Sequence, residues 1–179
     1  MKNFDGKQPE ELYAIISARQ IVAVMFHSDL FEMFNFLALD KFACEQKQQC
    51  KEEFMGHLKF VEHYNKYYNK LMNDNNQAYA RVDILPSEWS KYTRSDVTPQ
   101  VRKKAITEAF TKWLDWEKET CEILSGIAYE FLKQQNVVDY EFIKCYIKDV
   151  KKEIQEITNI ILELKITDYD EMHILEMQK

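Results

Sequence analysis

The clearest helical pattern in the chain lies at residues 136–165, which carry the sequence NVVDYEFIKCYIKDVKKEIQEITNIILELK. Its large side chains recur at steps of three and four residues, a spacing that places them on one face of a helix. We predict a helix over 139–165 with Asp139 as its N-terminal cap. The stripe on that face consists of Phe142, Tyr146, Asp149, Glu153, Ile157, Ile160 and Leu164.

Three earlier segments show the same periodicity. One opens at Thr98-Pro99, a predicted N-cap followed by a favourable first helical residue, and spans about 98–134. The other two are predicted at about 10–39, which follows Pro9, and at about 40–72. The intervening stretch up to Val97 lacks a sustained period, and its roughly 25 residues exceed the usual connection of about 4–6. The sequence therefore predicts four long helices with one long connection.

The lengths of the links predict the topology. Short links force helices one and two, and helices three and four, to run antiparallel, whereas a long crossover lets helices two and three run parallel. We therefore expect an all-α four-helix bundle over 10–165, with an N-terminal extension at 1–9 and a C-terminal tail at 166–179. The tail, ITDYDEMHILEMQK, is predicted to form a short fifth helix or an interface arm.

Composition narrows the class of protein. Only three Gly and three Pro occur in 179 residues, which disfavours turn-rich all-β folds, and the apolar share of 46% allows a real core. The net charge of −6 without clustered Lys and Arg predicts no nucleic-acid partner. Arg19 and Asp29 interrupt the most apolar segment, so no membrane partner is predicted. Four cysteines without a CxxC pair and the lack of an apolar N-terminal leader predict a cytoplasmic protein.

Polar side chains interrupt every apolar stripe near its middle. Several carboxylates and an imidazole that converge at one depth of a bundle repel one another or protonate unless a cation lies among them. Oxygen and imidazole ligands suit iron, manganese or zinc. The side chains in question are Gln20 and His27 on the first helix, Glu53 and His57 on the second, Glu117 on the third, and Asp149 and Glu153 on the fourth.

Each of these residues also has an ordinary structural interpretation. Glu53 alone would lie at the solvated edge of its stripe, and His57 alone would be a hydrogen-bonded core histidine. Gln20 and His27 would bond each other or a tyrosine, and Asp149 would be a surface charge among lysines. The metal hypothesis therefore depends on the joint pattern, in which each stripe carries a ligand-type residue near its middle.

The order of these features resembles the ferritin and bacterioferritin group of the ferritin-like superfamily. The likeness is strongest in EEFMGHLKFVEHY at 52–64 and in WEKETCEIL at 116–124, and it continues through 136–165. It covers about 10–165. The resemblance implies a ferritin-like four-helix bundle with the long crossover between helices two and three. It also implies a homo-oligomer, either a dimer or a larger hollow cage.

The resemblance further implies a di-iron ferroxidase centre inside the bundle. Family centres use a Glu on the first helix, Glu-x-x-His on the second, and a Glu on each of the third and fourth. The second-helix His matches His57, the third-helix Glu matches Glu117 and the fourth-helix Glu matches Glu153. The metal would be iron, in a mononuclear or dinuclear site.

Three positions depart from the family pattern. The first-helix Glu matches Gln20, which is a poorer ligand. The residue three before His57 is Phe54, and the nearest acid is Glu53, four residues before it. His27 stands about where the family often has a tyrosine beside the centre, and the resemblance makes it a candidate substitute ligand. The resemblance thus implies a centre that is altered, single-metal or lost.

Two functional hypotheses follow. The leading one is an iron-binding protein that oxidises or stores iron at a degenerate site within the bundle, with ferroxidase-type activity if the site is intact. Its ligands would be Glu53, His57, Glu117 and Glu153, with Gln20, His27 and Asp149 as further candidates. The alternative is a metal-free ferritin-like bundle that acts as a structural or interaction protein and needs no cofactor. The departures at Gln20 and Phe54 favour this alternative.

Overall fold

The computed structural model describes residues 4–72 and 93–178, and all of its long elements are helices. No strand occurs in those two ranges, which confirms the predicted all-α class. A short 3-10 helix at Arg94–Asp96 precedes the third long helix. The α-helices are Pro9–Phe36 (α1), Asp40–Tyr68 (α2), Pro99–Lys133 (α3), Val137–Ile166 (α4) and Glu171–Met177 (α5).

Capping side chains set the starts of α3 and α4. The Thr98 side chain accepts a hydrogen bond from the Val101 amide at 3.3 Å, and Pro99 is the first residue of α3, as predicted. At α4 the cap is Asn136, whose side-chain oxygen accepts from the Asp139 amide at 3.2 Å. The prediction that Asp139 caps this helix is wrong, because its carboxylate is turned into the core.

Aromatic contacts establish the directions of the helices. Tyr13, near the start of α1, lies against Tyr64 near the end of α2, with ring centroids 5.5 Å apart. It also lies against Phe131 near the end of α3, at 5.7 Å. Both helices therefore run antiparallel to α1 and parallel to each other. This confirms the topology predicted from the long crossover, although residues 73–92 of that crossover fall outside the described ranges.

Two apolar clusters fill the bundle, one towards each end. The first is built around Phe34, Phe110 and Trp113, and the second around Tyr13 and Phe60. Between them, the middle stretches of all four long helices contribute fewer buried apolar side chains. The fold thus leaves a polar layer at mid-height, which we call the central band, defined by Gln20, Glu53, Glu117 and Glu153.

The C-terminal tail folds back onto its own bundle. Ile174 on α5 is 2% exposed and belongs to the first apolar cluster. The side-chain oxygen of Gln178 accepts hydrogen bonds from the amides of Lys41 and Phe42 at 3.1 and 3.3 Å, at the start of α2. Of the two structures predicted for the tail, this chain adopts the short fifth helix.

Helix α1 is long and apolar enough, by length and composition, to cross a membrane, despite Arg19 and Asp29. The prediction that these two charges interrupt any such segment is therefore wrong for α1. Within the bundle, 61% of the most apolar window of α1 is buried. Core helices that pack on several neighbours show the same combination of length and apolarity.

Candidate metal centre

The central band brings one predicted site residue from each long helix to a similar depth. Glu53, Glu117 and Glu153 interact electrostatically across the bundle, and Gln20 hydrogen-bonds to Glu53. The three carboxyl groups lie on α2, α3 and α4, and the amide lies on α1. The three acids therefore lie within electrostatic range of one another, and Gln20 lies beside Glu53. Their role as metal ligands stays a prediction.

Glu117 is the most deeply buried acid of the band, with 1% of its surface exposed. Its Oε1 atom has no hydrogen-bond partner within the described residues. Burial raises the pKa of Glu117 well above its usual value, and repulsion from Glu153 and Glu53 raises it further. The nearby Arg19 and the Trp113 indole act in the opposite direction without reversing the shift. Burial and repulsion both favour the neutral form of this carboxyl group when no cation is present.

Glu53 and Glu153 share this environment. Burial, followed by repulsion from Glu153, raises the pKa of Glu53 to about 8, although Arg19 and a hydrogen bond from Gln20 oppose the shift. The Glu53 Oε2 atom is buried and lacks a hydrogen-bond partner among the described side chains. Burial also raises the pKa of Glu153 to about 7. The positive charge of Arg19 is therefore not enough to keep the pKa of Glu53 at its usual value, and burial dominates at Glu153 as well.

Gly56 explains why Gln20 fits beside Glu53. A Cβ atom built on Gly56 would overlap the side-chain oxygen of Gln20, so this amide occupies the space that any larger residue at position 56 would need. Gly56 lies three residues after Glu53, on the same face of α2. In a Glu-x-x-His pattern that begins at Glu53, the histidine would stand at position 56. The side chain of Gln20 from α1 occupies the space which that histidine would need.

Replacing Gly56 by Ala tests this contact. In the native background, removal of a helical Gly favours the helix by about 1 kcal/mol, but displacement of the Gln20 amide from Glu53 offsets this gain. We expect the free energy of unfolding to change by less than about 0.5 kcal/mol. In a Gln20→Ala background the same change should raise it by up to about 1 kcal/mol. Urea denaturation of the native protein, the two single variants and the double variant measures the energetic coupling between positions 20 and 56. Equal effects of Gly56→Ala in both backgrounds would contradict the packing described.

His57 makes different contacts from those the resemblance implies. Its Nδ1 atom lies 2.8 Å from the hydroxyl oxygen of Ser17, and its ring stacks on Phe54 with centroids 6.3 Å apart. Phe54 itself is 47% exposed, so the bundle-facing acid of this turn is Glu53. The direct contacts of His57 are thus with α1 and with its own helix. Its role as a metal ligand stays a prediction.

The two remaining candidates lie at opposite extremes of burial. His27 is 0% exposed; its Nδ1 is 2.8 Å from the Gln46 side-chain oxygen, and its Nε2 is 4.0 Å from Glu117 Oε1. Burial lowers the pKa of His27 to about 4, so its imidazole is neutral. Asp149 is exposed and lines the outer part of a cavity that also contains Glu153.

That cavity opens between α2 and α4 and has a volume of about 530 Å³. Gln20, Glu53 and Glu153 line its inner part. A second cavity of about 500 Å³, lined by α2, α3 and α4, extends from Glu153 to Trp113. Small ions in solvent therefore have access to the central band from the side of the bundle.

In residues 4–72 and 93–178, no group of three or more His, Cys, Asp or Glu side chains is assembled to hold a metal ion. The acids of the central band are close enough to shift one another's pKa, but they do not form a closed ligand shell. Uncompensated carboxyl groups repel one another, so such a shell is not expected to close without a cation.

Sequence reasoning missed the role of Arg19, which it treated only as an interruption of an apolar run. The Arg19 guanidinium lies 3.2 Å from the centre of the Trp116 ring and donates to the Trp116 carbonyl at 2.9 Å. It also donates to Glu119 and Thr120, each at 3.0 Å. From this position its charge favours the ionised forms of the carboxyl groups in the band. An Arg inside an apolar stripe was the available signal.

A second missed cluster surrounds Asp139, which is 0% exposed. Its Oδ1 accepts from the Tyr13 hydroxyl at 2.7 Å and lies 2.8 Å from His63 Nε2. Its Oδ2 accepts from the Tyr68 hydroxyl and from Asn136 at 2.6 Å. This carboxylate is well supplied with donors, so the cluster ties α1, α2 and α4 together at one end of the bundle.

The helix order and the parallel α2 and α3 define a four-helix bundle with a long crossover. No family model matches the sequence, and no curated protein matches it. Apo-ferritin from Pseudo-nitzschia multiseries is similar in structure, with a TM-score of 0.74 and 14% identity over 94% of this chain and 95% of that chain. A PmFTN variant soaked in iron for 45 min gives the same values, and another soaked for 5 min gives 0.73 and 13%. The chain therefore has the ferritin-like fold, which confirms the resemblance seen in the sequence.

Proposed function

We propose that this protein binds iron at the central band, with one ferrous ion held by Glu53, Glu117 and Glu153, and that it oxidises or stores iron in this way. The observation that carries the proposal is the buried, unpartnered Oε1 of Glu117 among the described residues, together with acids from two other helices. A buried carboxylate needs a cation or a proton to be tolerated. Carboxylate oxygens are ligands suited to iron or manganese.

The set of donors supports one ion rather than two. The band supplies three carboxyl groups, and the neutral Gln20 stands where a first-helix acid would add a fourth. Arg19 places one positive charge nearby, which it shares with Glu119 at 3.0 Å. A second divalent cation would therefore find too few negative ligands in this buried site.

The residues of the central band would have different roles in binding the ion. Glu53, Glu117 and Glu153 would bind the substrate ion, and the amide of Gln20 would orient Glu53 through their hydrogen bond. The cavity between α2 and α4 would admit ions and dioxygen. Ferrous iron bound there would supply the electron that reduces dioxygen.

Anaerobic calorimetric titration with Fe(II) at pH 7 tests the proposal. We expect about one ion per chain in the native protein and at least about tenfold weaker binding in Glu117→Gln, because the variant loses a ligand and keeps the shape of the side chain. Glu122→Gln, an exposed acid on the same helix, is the matched control and should bind as the native protein does. Absence of binding in the native protein would instead support the metal-free structural alternative.

We also propose that the chain works as a homo-oligomer, built from a face of α1 and α2. Phe54, Met55 and Leu58 on α2 are 47%, 51% and 42% exposed, and Ile21 and Val24 on α1 are only partly buried. Such neighbouring apolar side chains are a feature of interaction surfaces. Size-exclusion chromatography with light scattering should give a mass at least twice 21.5 kDa, and a monomer would contradict this part of the proposal.

A cytoplasmic location is part of the same proposal. All four cysteines are free thiols, and Cys44 and Cys145 are exposed. Exposed thiols persist in reducing compartments. The net charge of −6 continues to argue against a nucleic-acid partner.

A further inference from the structure

His27 presents an unprotonated nitrogen to the central band. Its Nδ1 atom lies 2.8 Å from the side-chain oxygen of Gln46, and both residues are 0% exposed. An amide oxygen only accepts hydrogen bonds, so Nδ1 carries the proton of this neutral imidazole. The lone pair is therefore on Nε2, on the opposite side of the ring.

That lone pair faces another acceptor. His27 Nε2 lies 4.0 Å from Oε1 of Glu117, and each atom is buried without a hydrogen-bond partner in the described part of the chain. The Trp113 ring packs edge-on against the imidazole, with centroids 5.8 Å apart. When Glu117 is ionised, two buried acceptors face each other, and this arrangement is costly unless a proton or a cation lies between them.

We propose that Nε2 of His27 is the nitrogen ligand of the ion bound at the central band, a role that rests on the proposed function. Two atoms each about 2.1 Å from one tetrahedral ion lie about 3.4 Å apart, so His27 and Glu117 need to approach by only roughly half an ångström. Gln46 acts as the positioning residue, because it holds the tautomer that keeps Nε2 free. The nitrogen source is thus α1, and not the second-helix position indicated by the family pattern.

An imidazole ligand makes the site selective. Nitrogen donors favour Fe(II) and Zn(II) over Mg(II) and Ca(II), which prefer sites composed of oxygen atoms. We therefore expect the site to bind Zn(II), a probe without redox chemistry, in the presence of excess Mg(II).

X-ray absorption spectroscopy of the zinc-loaded full chain tests the assignment. The multiple-scattering signal of one imidazole should appear in the native protein and persist in His57→Gln, because His57 is engaged with Ser17. It should disappear in His27→Gln, with zinc affinity reduced at least about tenfold. Far-UV circular dichroism would verify that the variants remain helical.

The possible outcomes separate the two proposals. Zinc bound without an imidazole signal, or a signal lost in His57→Gln, would overturn the assignment of His27 and leave the carboxylate site standing. Failure of the native protein to bind either Zn(II) or Fe(II) would overturn both. If His27→Gln does not fold, loss of the signal in His57→Gln still overturns the assignment. Persistence of the signal in His57→Gln and also in the double variant His63→Gln/His173→Gln leaves His27 as the one remaining histidine of the chain.

Discussion

Replacing Asp139 by Ala is expected to lower the free energy of unfolding by about 4 kcal/mol. The buried carboxylate accepts from the Tyr13 and Tyr68 hydroxyls and from Asn136, and it lies beside the His63 ring nitrogen. These groups come from α1, α2 and the link before α4. Its removal leaves several donors in the core without their acceptor, which costs far more than the loss of one surface interaction.

Urea denaturation followed by circular dichroism measures this effect. Glu141→Ala is the matched control, because Glu141 lies in the same helix and forms an exposed ion pair with Lys144. Exposed pairs contribute about 0–1 kcal/mol, so the control should stay close to the native protein. A loss for Asp139→Ala no larger than that of the control would show that the cluster does not tie the helices together.

Metal-free protein is expected to lose roughly 3 kcal/mol of stability between pH 6.5 and pH 9. Glu53 and Glu153 have pKa values of about 8 and 7 in the folded chain, and Glu117 is also raised, whereas unfolded glutamates titrate near 4.5. In this interval the unfolded chain has already released protons that the folded chain retains. Stability must therefore fall as the pH rises towards the folded pKa values.

The titration of His27 changes stability in the opposite direction, and it does so over a lower pH interval. Its folded pKa of about 4 lies below the model-peptide value of 6.5, so its contribution increases with pH and is nearly complete above pH 6.5. Denaturation in the presence of a chelator at pH 6.5, 8 and 9 therefore isolates the carboxyl groups. Glu53→Gln should reduce the slope, whereas Glu62→Gln, an exposed acid on α2, should not. A native stability that is flat or rising over this range would refute the described electrostatics.

The fold was predictable because its determinants are local. Three features can be recognised directly in the sequence: the helical periodicity, the Thr98-Pro99 helix start and the unequal lengths of the links. Together they determine a four-helix bundle with one long crossover. The error at the start of α4 has a different origin. Asp139 follows a turn and looks like a cap. Its carboxylate instead accepts hydrogen bonds from Tyr13 and Tyr68, which are distant in the chain. No spacing rule reveals partners of that kind.

The site was only partly predictable for the same reason. The interrupted stripes singled out Glu53, Glu117 and Glu153, which influence one another's pKa in the structure, and their role as ligands stays a prediction. Sequence spacing could not decide whether residue 53 or residue 54 faces the interior, since one residue of α-helix corresponds to a rotation of about 100°. That choice depends on the space beside Gly56, which the side chain of Gln20 fills from another helix.

Anomalous scattering from crystals soaked anaerobically in Fe(II) would locate the ion itself. The proposed function predicts one iron peak per chain inside the bundle, within bonding distance of Glu117 and flanked by Glu53 and Glu153. A peak confined to the protein surface, or no peak at full soaking, would contradict it and leave a ferritin-like scaffold without a metal centre.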